Sequence, residues 1–187
     1  MISEKAIVSP KAQIGNNVTI YPFVYIEDDV VVGDNCIIYP FVSLMNGTRI
    51  GKGNKIHQNT VLGAIPQDFS YRGEATVMEI GDNNIIRENV VVNRATFTDG
   101  VTRIGNNNFI MEGVHISHDV KIGDGCVLGY GTKIAGDCVF NKMSGATHMG
   151  IFDGFKVIEA QGRDVGVTRR DVPAGNWVIG GRLPYFK

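Results

Sequence analysis

Leucine is scarce in this chain, with 4 residues against 21 Ile and 22 Val. Leu is the main core residue of helix bundles, whereas Ile and Val are stiff at the β-carbon and favour strands, so a helical bundle is excluded. An excess of one charge is missing too: 18 Lys and Arg stand against 19 Asp and Glu. That balance argues against a nucleic-acid or anionic-membrane partner, both of which call for a basic excess. Long apolar runs are missing as well. No stretch suits a transmembrane helix, and Met1-Ile2-Ser3-Glu4-Lys5 leads into no apolar segment of the signal-peptide kind, so a cytoplasmic protein without an integral membrane segment is expected. Cysteine is limited to Cys36, Cys126 and Cys138, too few and too widely spaced for a disulfide framework.

What the chain has in excess is glycine, 24 of 187 residues, and a repeat. From Val8, steps of six reach Ile14, Ile20, Ile26, Val32, Ile38, Leu44, Ile50, Ile56 and Leu62. The phase holds at Ile80, Ile86 and Val92, and again from Ile104 to Phe140. Val, Ile, Leu or Phe fills 20 of the 23 positions, where chance would fill about 7. A hexapeptide repeat builds an all-β parallel β-helix in which each hexad is one side of a triangular coil. Three hexads make an 18-residue coil, so Gly15, Gly33 and Gly51 should stack at one corner. The expected β-helix domain spans 1–160, with loops ejected near 66–78 and 98–103, where Asp68, Glu74 and Thr98 break the pattern. Residues 161–187, punctuated by Pro and Gly, read as a short irregular cap in which Trp177 can close the prism.

The three cysteines share one inward small position of the hexad and read as buried thiols in a reducing compartment. Asn83, Asn84, Asn106, Asn107 and Asn108 fall at corners and read as turn formers. His57 reads as a solvated strand residue, and Tyr21, Phe23, Tyr39 and Phe41, at an 18-residue offset, as stacked rings or a subunit contact.

His115 and His118 bracket the inward Ile116, so both imidazoles should face outward. Gly136 follows His118 by 18 residues, one coil on, and its bare backbone allows a ligand close approach. A general base beside a backbone N–H is the pairing that acyl transfer needs, one taking a hydroxyl proton and the other stabilising an oxyanion. Asp119 can orient the ring, although neighbours along a strand point apart.

The hexads, the opening Ala6-Ile7-Val8-Ser9-Pro10, the loop Ile65-Pro66-Gln67-Asp68-Phe69, the segment Glu79 to Glu88 and the string His115-Ile116-Ser117-His118-Asp119 together resemble the UDP-N-acetylglucosamine acyltransferases of lipid A biosynthesis. The resemblance covers about residues 1–140. It implies a left-handed β-helix, a homotrimer with sites between subunits, and transfer of an R-3-hydroxyacyl chain from acyl carrier protein to the sugar 3-hydroxyl. His118 falls on the family's general base and Gly136 on its oxyanion glycine; Asp68, His115, Asp119 and His148 fall in the substrate site. No metal or cofactor is implied, the carrier protein's phosphopantetheine thioester being a co-substrate. The chain departs from the family pattern at Asp137 and Met149, and by several residues between Asn141 and His148. Little or no C-terminal helical domain is expected, so either Arg163, Arg169, Arg170 or Arg182 holds the nucleotide in its place or nucleotide binding is weakened. Three other readings stay open on the same scaffold: a coenzyme-A-dependent acetyltransferase, a truncated trimeric binding module, and a zinc site drawing on His115, His118 and His148.

Overall fold

The computed structural model describes residues 1–142, with side chains through 140, and beyond them the backbone of Gly150–Ile151, Glu159–Gln161 and Asp164–Gly166. The expected cap and His148 lie largely or wholly outside the described residues. Three parallel sheets of two- to four-residue strands form the walls of a prism. The first wall runs through Ile7–Val8, Tyr25–Ile26, Ser43–Leu44, Val61–Ala64, Val91–Asn93, His115–Ile116 and Lys133–Ile134. The second includes Thr48–Ile50, Val77–Ile80, Val101–Ile104 and Lys121–Asp124; the third includes Ile37–Ile38, Lys55–Ile56, Ile85–Ile86 and Phe109–Ile110. Among the described residues there is no helix, and none long and apolar enough to cross a membrane.

Strand pairing explains why the sequence phase survives the breaks. Tyr25 pairs with Ser43 and His115 with Lys133, each a step of 18. Val61 pairs with Val91 and Val91 with His115, steps of 30 and 24. The two insertions are therefore twelve and six residues, whole multiples of the hexad. Their bounds differ from the sequence expectation: Val77 and Met78 already pair in Val77–Ile80, and Val101 to Arg103 pair in Val101–Ile104. Four of those five residues, Val77, Met78, Val101 and Thr102, are β-branched or apolar and suit a strand, which a boundary drawn from the break in hexad phase overlooks.

The hexad aliphatics fill the interior. Leu44, Leu62, Val92 and Ile116 are each 0% exposed and stand one above another on the first wall. Each such side chain contributes about 1.5–3 kcal/mol by leaving water. Glycine stacks at the corner as expected: a β-carbon on Gly33 would lie 2.7 Å from the Gly51 backbone, which leaves no room for one. The residue after each glycine stitches coils together, as Asp34 Oδ1 accepts from the Asn16 N–H (2.8 Å) and Asn106 Oδ1 from the Asp82 N–H (2.7 Å).

The asparagines divide between two jobs. Asn83 and Asn107 are left-handed turn residues, both with φ of 57°, a conformation Asn tolerates. Asn84 and Asn108 are instead buried, which corrects their reading as turn formers. Asn54 Oδ1 accepts from both the Asn84 N–H and Nδ2, Asn84 Oδ1 from the Asn108 N–H, and Asn108 Oδ1 from the Cys126 N–H. These residues share one interior ladder with Cys36 and form a continuous amide stack. All three thiols are buried and none is in a disulfide; burial pushes the Cys36 thiol up.

His57 also departs from expectation. Its ring stacks on Tyr39 at 4.5 Å, extending the Tyr21–Tyr39 stack at 5.3 Å, and Nδ1 lies 3.5 Å from Glu88 Oε1. Phe23 stacks on Phe41 at 5.2 Å, as the 18-residue offset predicts.

Candidate active site

A cleft on the outer side of the first wall is lined by Gln67, Asp68, His115, Ser117, His118 and Gly136 among others. The structure thus brings together five of the six sequence-predicted site residues, counting Asp119 behind the ring of His118; the sixth, His148, lies outside the described residues.

The strand His115–Ile116 ends before Ser117, and the chain turns its corner at Asp119, whose φ is 59°. Asp is among the few non-glycine residues that accept this left-handed region. The alternation that would separate adjacent side chains therefore does not apply, and the carboxylate swings back to the ring. Asp119 Oδ2 accepts a hydrogen bond from His118 Nδ1 at 2.9 Å and another from the Thr96 N–H at 3.0 Å. The Asp119 N–H donates to Thr102 Oγ1 at 2.8 Å. Thr96 belongs to the six-residue insertion, so that loop clamps the carboxylate that clamps the histidine.

A carboxylate at Nδ1 places the ring proton there and leaves the lone pair on Nε2. Nε2 stands 3.5 Å from Asp68 Oδ2, too far for a good hydrogen bond, and the two atoms face a common space. Asp68 is carried by the twelve-residue insertion. Its other oxygen accepts from the Ser70 N–H at 2.7 Å and from the Ser70 hydroxyl, which hold the carboxyl below the ordinary range, with the His118 ring adding to the effect.

Gly136 packs against the imidazole itself. A β-carbon there would lie 2.5 Å from His118 Cε1 and 2.7 Å from Nε2, so the ring in this position leaves room only for glycine. Among the described residues nothing accepts a hydrogen bond from the Gly136 N–H.

His115 is half-buried, with Nε2 2.8 Å from Asn93 Oδ1. Burial first, and then Lys133, push its pKa below the ordinary histidine value. Asn93, Thr96 and Thr102 are functional neighbours that sequence reasoning missed. The first two flank or occupy the break around Thr98, which is the signal that points to them. Among the described residues no three His, Cys, Asp or Glu side chains converge as a metal site.

Coils of hexads carrying an outward His–Asp pair beside a glycine define a hexapeptide-repeat transferase scaffold. The bacterial transferase hexapeptide (six repeats) family matches residues 11–44, 29–64 and 102–136. The acyl-[acyl-carrier-protein]–UDP-N-acetylglucosamine O-acyltransferase of Thermodesulfovibrio yellowstonii is 43% identical over 136 residues, covering 72% of this chain and 53% of that protein. Its counterpart in Saccharophagus degradans is 41% identical over 128 residues, 68% of this chain and 50% of the relative. The chain spans about half the length of the curated relatives it matches. Among solved structures, the UDP-N-acetylglucosamine acyltransferase of Bacteroides fragilis superposes with a TM-score of 0.78 at 42% identity, covering 90% of this chain and 74% of that one. The chain belongs to the UDP-N-acetylglucosamine acyltransferase family, and its fold is the left-handed parallel β-helix of hexapeptide repeats.

Proposed function

We propose that the chain transfers an R-3-hydroxyacyl group from acyl carrier protein to the 3-hydroxyl of UDP-N-acetylglucosamine, the first step of lipid A biosynthesis. The observation that carries this reading is the Asp119–His118 pair with Nε2 turned to the cleft under Gly136. The relatives' names supply the substrates. His118 Nε2 accepts the 3-hydroxyl proton as the sugar oxygen attacks the thioester carbonyl, and the Gly136 N–H donates to the oxyanion. Asp119 stabilises the imidazolium so formed. Collapse of the intermediate forms the ester and breaks the carbon–sulfur bond, and the imidazolium returns its proton to the departing pantetheine sulfur. Asp68 and His115 hold the sugar, with His148 a further substrate contact. The reaction needs no metal and no resident cofactor. A homotrimer with its sites between subunits, working in the cytoplasm without nucleic-acid or integral-membrane contacts, completes the proposal.

The test is donor choice. Wild-type protein is given UDP-N-acetylglucosamine with either R-3-hydroxyacyl carrier protein or acetyl-coenzyme A, and the nucleotide sugar is followed by mass spectrometry. A mass increase with the carrier-protein donor alone supports the reading; acetylation alone overturns it in favour of a coenzyme-A-dependent acetyltransferase.

A further inference from the structure

A buried amide decides which nitrogen of His115 carries the proton. Asn93 ends the strand Val91–Asn93 and is 1% exposed. Its Nδ2 donates to the Ile65 carbonyl at 2.7 Å. A carbonyl only accepts, so the orientation of the Asn93 amide is fixed by that bond. The atom 2.8 Å from His115 Nε2 is therefore Oδ1, which has no proton to give. The proton belongs to Nε2, and the lone pair of the neutral ring to Nδ1.

The two histidines of the cleft are thus held in opposite forms by chemically different partners. His118 has a carboxylate at Nδ1, which holds the ring proton there and leaves the Nε2 lone pair to the cleft. His115 has a neutral amide at Nε2, which orients the ring without favouring its cation. Burial disfavours the cation further, as does Lys133, the next outward residue of the same ladder.

We infer that His115 works uncharged, as a hydrogen-bond acceptor through Nδ1, and that Asn93 is the positioning residue that holds it so. This deepens the proposed function and rests on it for the ligand: the group at Nδ1 is a hydroxyl or N–H of the acceptor sugar, never a phosphate or carboxylate oxygen. Of the two neighbouring imidazoles, only His118 has a carboxylate within hydrogen-bond distance among the described residues.

The measurement is side-chain 15N NMR of the full chain at neutral pH, with the His115 signals assigned by their loss in His115→Gln. The expected result is one neutral form protonated on Nε2; a proton on Nδ1, or an imidazolium, would overturn the inference. A second variant, Asn93→Asp, keeps an acceptor for Nε2 but sets a carboxylate beside the ring and so favours its cation. It should show a doubly protonated His115 and a KM for the nucleotide sugar raised about three- to tenfold, the scale of one lost hydrogen bond, with kcat within about twofold. An unchanged KM with a doubly protonated ring contradicts an acceptor role. A raised KM with the ring still neutral points to a structural effect and contradicts it equally. A wild type inactive on UDP-N-acetylglucosamine but protonated on Nε2 would sink the substrate reading and leave the state of His115 standing.

Discussion

The imidazole of His118 lies against the bare Cα of Gly136, one coil away, so closely that a methyl group on Gly136 would meet Cε1 at 2.5 Å. The two residues proposed as base and oxyanion donor are thus packed against each other, and their spacing is set by the coil-to-coil distance of the β-helix.

Gly136→Ala should displace the His118 ring while leaving the coils intact, because the added methyl points to the outer cleft. Activity should fall by roughly 10² or more, within the range for a misplaced general base. Steady-state kinetics beside an unchanged circular dichroism spectrum checks this.

Asp119→Asn keeps a residue at ease with φ of 59° but removes the charge that steadies the imidazolium. The expected outcome is a folded protein with kcat lowered about 10- to 1,000-fold and KM little changed, as befits a partner of the general base. Asp119→Ala should lose thermal stability as well, since a left-handed alanine is strained and the Thr96 N–H loses its acceptor.

His57 and His115 are both held below the ordinary histidine value of 6.5, in each case chiefly by burial. The unfolded chain then binds protons at pH values where the folded protein does not, so stability rises with pH across that window and is lost as pH falls through about 6.5 and below. The thermal midpoint should be nearly flat from about pH 8 to 7 and should drop from about pH 6.5 to 5. His57→Phe, which retains a ring to stack on Tyr39, should flatten part of that drop.

Asn84→Ala should be costly for a small polar side chain. It takes away the Oδ1 that accepts from the Asn108 N–H inside the prism, while Asn54 Oδ1 keeps the backbone N–H of residue 84 and loses only the second donor, Nδ2. The expected loss is about 1–3 kcal/mol, measured by urea denaturation, the cost of one buried N–H left without an acceptor.

Much of this architecture is legible in the sequence because the hexad phase is a direct image of the inward ladder. The phase even passes through the ejected loops, since insertions of twelve and six residues preserve a count by sixes. His115, His118 and Gly136 come with it, because position in the hexad fixes which residues face out and which lie one coil apart. Asp119 is harder to place. Strand alternation turns it away from His118, and only the left-handed corner brings it back. Asn84 and Asn108 look like their turn-forming neighbours Asn83 and Asn107, and one position in phase separates an exposed turn from an interior amide ladder. His57 gives no sign of Glu88, because the twelve-residue insertion stretches one coil to 30 residues and hides the pairing. Asn93 and Thr96 act through contacts made across the insertions, which no periodicity encodes.

The central claim is that His118 is the base for acyl transfer to UDP-N-acetylglucosamine. The most direct test compares wild type with His118→Ala under identical concentrations of nucleotide sugar and R-3-hydroxyacyl carrier protein, with the acylated sugar quantified over time. The account predicts product from wild type and a rate lowered about 10²- to 10⁴-fold in the variant. Equal rates in the two proteins, or no acylated sugar from a folded wild type, would contradict it.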